Sequence, residues 1–131
     1  MKKEKRIIKF LKKGRFYLIH DGSPSGHPGM ILWKRDKKNL YLSIITGTSP
    51  NKDMIKLYFP TTIKIKKSFV HKRPFLGKRK DYGKKEMLDM KFNKKDKPLV
   101  KVIAKKRPRL SKNISRKDLS NYKRVKKKPY F

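Results

Sequence analysis

Cysteine is absent from this 131-residue chain, which excludes disulfides, thiolate nucleophiles and cysteine-ligated zinc. Acidic residues are scarce: nine Asp+Glu stand against 41 Lys+Arg, for a net charge of +32. The acids fall singly along the chain, so paired-carboxylate and two-metal nuclease chemistry is not expected. No His/Asp/Glu set has the spacing of a metal site, and no glycine-rich loop matches a P-loop, so neither a metal nor a cofactor is expected. Long apolar runs are missing too. Nothing approaches the roughly 18 residues that span a bilayer. Lys9 splits the only leader-like stretch, Ile7-Ile8 and Phe10-Leu11, and what remains is too short to anchor the chain on a membrane surface. The expectation is a cytoplasmic protein with no membrane partner.

Positive charge is what the chain has in abundance. An ordinary small domain carries a net charge of only a few units, roughly 2–8. A larger excess repels itself in the compact state, and a bound polyanion relieves that cost. Neutralising phosphates also releases condensed counterions, which gives tight, salt-sensitive and largely sequence-independent binding. The expected partner is nucleic acid, RNA before DNA. The charge falls in three zones. Residues 1–13 carry seven Lys/Arg and one Glu, residues 14–104 carry twenty-two against seven acids, and residues 105–131 carry twelve against one. This predicts a basic N-terminal extension (1–13), a folded domain (14–104) and a basic C-terminal tail (105–131) that orders on nucleic acid.

The middle zone reads as β-rich. Residues 15–20 and 30–33 have the β-branched and aromatic content of strands, separated by a loop with Gly22, Pro24, Gly26, Pro28 and Gly29. Residues 40–45 are the most apolar run and read as a central buried strand. Residues 54–59 suggest a fourth strand. Ile63 and Ile65 alternate with Lys64 and Lys66 as a half-buried strand would, continuing past a bend through 68–71. Residues 84–92 read as the one helix, and 99–104 as a last strand. Five to six short strands with one short helix predict a mainly β chain folded as a small, partly open barrel.

Three stretches carry a resemblance: Gly14-Arg15-Phe16-Tyr17-Leu18-Ile19, then His27-Pro28-Gly29-Met30-Ile31-Leu32, then Leu42-Ser43-Ile44-Ile45-Thr46-Gly47-Thr48. Over roughly residues 14–75 the chain resembles the PemK/MazF-like family of SH3-like barrels, whose best-known members are sequence-selective, metal-independent endoribonucleases of toxin–antitoxin pairs. The resemblance implies an SH3-like barrel, a homodimer and an acidic antitoxin partner. In that family an Arg-Pro pair after the first loop, and a Thr or Ser after the central strand, carry the cleavage chemistry; the matching positions are His27-Pro28 and Thr46 or Thr48. His27 departs from the family's Arg: it can act as acid or base near neutrality but lacks the permanent bidentate phosphate grip of Arg. Its bland reading is a side chain that only packs a Pro-Gly turn. His71 and Arg73 fall where relatives place a catalytic helper, and a purely phosphate-holding role is the alternative for them. The enzyme reading thus covers an active metal-independent endoribonuclease and an inactive descendant alike.

The densest binding patch joins aromatics to cations: Lys72, Arg73, Phe75, Lys78, Arg79, Lys80, Tyr82, Lys84 and Lys85. Aromatics stack on unpaired bases while cations hold the backbone; alternatively Phe75 and Tyr82 pack into the barrel. Arg107, Arg109, Arg116, Lys117, Lys126, Lys127 and Lys128 extend the binding surface along the tail. Trp33, Tyr41 and Phe69 belong to apolar strand patterns and are read as core. Two other functions fit the same charge: a non-enzymatic component of a large ribonucleoprotein, such as a ribosomal protein, or a small phage or mobile-element inhibitor of a nucleic-acid enzyme.

Overall fold

The computed structural model describes residues 11–35 and 40–124. Their elements run β1 (Phe16–Ile19), β2 (His27–Arg35), β3 (Leu40–Gly47), β4 (Met54–Lys56), β5 (Phe69–His71), β6 (Phe75–Lys78), β7 (Tyr82–Glu86), α1 (Lys97–Ala104), β8 (Arg109–Leu110) and α2 (Arg116–Arg124). The architecture is mainly β, a partly open barrel: one sheet in the order β4-β5-β3-β2-β1-β7, with β6 also on β3 and β8 on β6. All pairs are antiparallel except β6–β8. Among the described residues no helix is long and apolar enough to cross a membrane.

β3 is the hub, as its unbroken apolar run predicts. Leu40, Leu42 and Ile44 enter one buried cluster with Phe16, Leu32, Val100 and Ile103. The alternate residues Tyr41 and Ile45 enter a second with Tyr17, Ile31, Phe75 and Tyr82. A strand covered on both faces needs no polar alternation. Its partners divide one edge between them. Leu40–Ser43 pair with β6, whereas Thr46 and Gly47 pair with β5. The two strands part at Ile44 and Ile45, and the chain between them, Lys72-Arg73-Pro74, crosses that fork.

Four expectations are corrected. Residues 84–92 form no helix: the segment enters β7, which pairs with β1 (Tyr17↔Glu86, Ile19↔Tyr82), and Phe92 then packs on Phe16 at 5.3 Å. The first α-helix lies instead where a last strand was expected. Asn93 accepts from the Lys95 amide at 2.9 Å to cap a leading 3-10 turn, Lys94–Asp96, and Pro98 sits in the first turn of α1. Its buried residues Val100, Ile103 and Ala104 have the i, i+3, i+4 spacing of one helical face. Ile63 and Ile65 are not on a strand; Thr62 draws the chain into a turn by accepting from the Lys64 amide at 3.4 Å, and Ile63 is fully exposed. The chain beyond residue 104 is also folded as far as 124. β8 joins the sheet, and in α2 the Ser115 and Asp118 side chains cap each other's amides at 3.1 and 3.0 Å. At the other end, Leu11, assigned to the N-terminal extension, is buried.

Candidate functional site

The fork in β3 opens into a cleft of about 720 Å³ lined by the 21–28 loop, the end of β3, His71 and Arg109. Four residues expected from sequence to carry chemistry meet there: His27, Thr46, Thr48 and His71. They come from three strand ends separated by up to 44 positions, and the β2–β3–β5 pairing is what collects them.

His27 opens β2, opposite Ile19 of β1. The turn before it needs Gly26, whose φ is +71° and whose hypothetical Cβ would lie 2.7 Å from the Ile19 carbonyl oxygen. This loop folds Asp21 back onto the ring. His27 Nδ1 lies 2.8 Å from Asp21 Oδ2, and the Ser23 hydroxyl donates to Asp21 Oδ1 at 2.7 Å. Burial pushes the Asp21 carboxyl up, but the hydrogen bonds from Ser23 and His27 outweigh it and hold the group below the usual carboxylate range. A charged acceptor at Nδ1 fixes the ring proton there and leaves Nε2 as the lone-pair nitrogen, a tautomer assigned from the hydrogen-bond network. The ring rests against the end of β3, with Cδ2 3.6 Å from where a Gly47 Cβ would be.

His71 has the opposite arrangement. Its Nδ1 accepts from the Arg73 amide at 3.1 Å, which places the proton of the neutral ring on Nε2. Burial, and then the positive charge of Arg109, hold its pKa below the ordinary value. Thr48 is exposed at the rim. Thr46 is buried, and its hydroxyl donates to the Pro28 carbonyl at 3.1 Å, so it locks the His27 turn to β3. The cleft's three carboxylates each have a partner: Asp21 the His27 ring, Asp53 the Lys72 ammonium at 3.4 Å, Asp89 the Lys64 ammonium at 2.9 Å. Among the described residues no His/Cys/Asp/Glu cluster could hold a metal ion.

Arg73 does not line the cleft. Its Nε donates to the Arg107 carbonyl at 2.9 Å and its Nη2 to that of Pro108 at 3.1 Å, so it tethers the C-terminal segment. The base-stacking role expected of Phe75 and Tyr82 is corrected: each is only 3% exposed. Tyr82 donates to the Tyr41 carbonyl at 3.1 Å, and burial pushes its hydroxyl pKa far up. The cations of that patch divide. Lys72, Lys80, Lys84 and Lys85 are exposed, whereas Lys78 pairs with Asp118 at 3.3 Å and Arg79 donates to the Tyr82 carbonyl at 3.1 Å. Arg107, Arg116 and Lys117 are exposed; Lys126, Lys127 and Lys128 lie outside the described residues.

Three residues, Asp21, Tyr58 and Phe59, were not singled out from sequence, and Arg109 was placed on the tail's binding surface rather than in a cleft. Asp21 was read only as a loop residue, although one acid in a Gly/Pro-rich loop six positions before a His is the usable signal. Arg109 was read as a tail charge, and nothing local shows that it enters the cleft. Tyr58 and Phe59 were read as strand residues, yet they are 82% and 39% exposed. Their amides donate to the buried Asp96 carboxylate at 2.7 and 3.1 Å, with Lys95 5.8 Å from the Phe59 ring centre. In comparisons with known proteins no family model, no curated protein and no solved structure matches this chain.

Proposed function

We propose that this chain is a cytoplasmic single-stranded-RNA-binding protein whose cleft cleaves the bound strand at the 2′-hydroxyl without a metal, as its resemblance to PemK/MazF-like endoribonucleases implies. One observation carries the reading: the Asp21–His27 pair, at 2.8 Å, lines the cleft shared with Thr48 and His71, in a chain of net charge +32. Exposed lysines hold the backbone, and Tyr58 offers a stacking face for an unpaired base. His27 Nε2 takes the proton of a 2′-hydroxyl, while Asp21 steadies the imidazolium that forms. The 2′ oxygen attacks phosphorus, the bond to the 5′ oxygen breaks, and water protonates the leaving oxygen. The products are a 2′,3′-cyclic phosphate and a 5′-hydroxyl. His71 Nε2–H supplies a hydrogen bond to the phosphate.

The test is incubation of the purified chain with single-stranded RNA in excess chelator. Cleavage is expected, DNA of the same sequence should stay intact, and His27→Ala should slow cutting by about 10²-fold or more while binding persists. RNA left whole by the parent chain would sink the catalytic part. The non-enzymatic ribonucleoprotein reading would then take its place, favoured by Thr46 and Arg73, which spend their donors on backbone carbonyls.

A further inference from the structure

Arg109 reaches the cleft from the C-terminal segment, which is fastened on both sides of it. The Arg109 amide donates to the Pro74 carbonyl at 2.8 Å and the Ser111 amide to that of Leu76 at 2.9 Å. Arg73 holds the two preceding carbonyls. The guanidinium carbon lies 5.8 Å from the Phe75 ring centre, so one face is set against an aromatic ring. Position and orientation are therefore fixed before any ligand arrives.

Two of its donor nitrogens nevertheless have no partner among the described residues: Nε and Nη2 of Arg109 are buried and make no hydrogen bond. Asp21 and Asp53 attract the guanidinium through space, but their hydrogen bonds and ion pairs go to Ser23, His27 and Lys72. Burial and the nearby Arg73 charge weigh against the charged form, yet an arginine does not deprotonate in a protein. Buried donors left vacant on a cation are costly to maintain. The vacant pair is also specific in shape: Nε–H and Nη2–H lie side by side on one edge of the planar fork and match two oxygens of a single phosphate.

We propose that the Nε–Nη2 edge of Arg109 is a seat for one phosphate group in the cleft, taking the two non-bridging oxygens of a phosphodiester. As a step in RNA recognition this rests on the function proposed above, and it gives the C-terminal segment a part in the site itself. The phosphate would sit among His27, His71 and Thr48, which line the same cleft.

The experiment follows the Nε–H resonance of Arg109 in the full chain carrying isotope-labelled arginine. One arm adds a short 2′-O-methyl RNA, which cannot be cut; the other adds inorganic phosphate. The RNA is expected to shift the resonance and slow its exchange with water. Arg109→Lys, which keeps the charge but loses the fork, should weaken RNA binding by about tenfold with the amide spectrum still dispersed. RNA that binds without moving Arg109 overturns the seat and leaves RNA binding standing. A response to phosphate without any RNA binding keeps the seat, as a site for the free ion, and removes the RNA reading. An unmoved resonance in both arms, with no RNA binding by titration, overturns both.

Discussion

Two histidines in one cleft differ by what touches Nδ1. A carboxylate holds a proton on that nitrogen in His27, whereas a backbone amide donates to it in His71. The first ring presents a lone-pair Nε2 and the second an Nε2–H, although neither residue type nor spacing distinguishes them. The depressed pKa of His71 has a consequence for stability. The unfolded chain binds the proton near the ordinary value of 6.5, whereas the folded chain resists it until lower pH. The folded state therefore holds this contribution above 6.5 and loses it as pH falls through the folded value. Asp21 acts in a separate window, below its ordinary 3.8. Urea midpoints measured across mildly acidic pH should decline, and His71→Gln should flatten the decline just below 6.5. An unchanged profile in that variant would show that His71 titrates alike in both states. His27 and His71 were named as candidates because their motifs match positions of the resemblance to PemK/MazF-like proteins. Asp21 was not, and Arg109 was read only as a tail contact, because their places in the cleft arise from a loop closing back and from a parallel strand added some ninety residues after β1.

At the scale of elements, long-range pairing decided where local preference was ambiguous. Residues 82–86 give their edge to β1, and a short helix-compatible stretch cannot outweigh a ladder and its packing. Residues 99–104 contain Leu99, Val100, Val102 and Ile103, which fit a strand or a helix by composition. The Asn93 cap and Pro98 settle it as helix. α2 shows how far the fold extends past the expected boundary at 104. Its Tyr122 ring is stacked on Trp33 of β2, 5.7 Å apart with an 11° interplanar angle. Both are buried, at 8% and 1% exposure. Tyr122→Ala should destabilise the chain by about 3 kcal/mol, the usual cost of emptying a large aromatic site. Tyr122→Phe, which keeps the ring, should stay within about 1 kcal/mol. Equilibrium urea unfolding of both variants checks this. An alanine variant as stable as the parent would show that α2 is not part of the cooperative unit.

The charge of the whole molecule is sharpened by where its few acids go. Three of the nine, Asp81, Asp96 and Asp118, are buried and spent on holding the chain together. Asp81 accepts from the Lys78 amide and the Asn113 side chain, Asp96 from Tyr58 and Phe59, and Asp118 from Ser115. The surface thus presents fewer acids beside its lysines and arginines than the composition alone conveys, and scarcity of acids was the part of this that sequence made plain. What sequence misplaced was the aromatic component. Phe75 and Tyr82 went into the core, and Tyr58 took the exposed position because Asp96 pins its backbone. In the proposed binding of RNA, these two contributions separate by their salt dependence. The logarithm of affinity should fall linearly with the logarithm of salt, by about 0.7 per phosphate neutralised on a single strand. Replacing Lys84 and Lys85 by Gln should flatten that line in proportion to the phosphates they touch. Tyr58→Ala should instead lower affinity by about 1 kcal/mol or more at every salt concentration and leave the slope unchanged, because stacking releases no counterions. Titrations of fluorescent single-stranded RNA at several salt concentrations measure both quantities at once. A Tyr58→Ala line that coincides with the parent would remove the stacking face, and a parent line without slope would remove phosphate binding as the source of affinity.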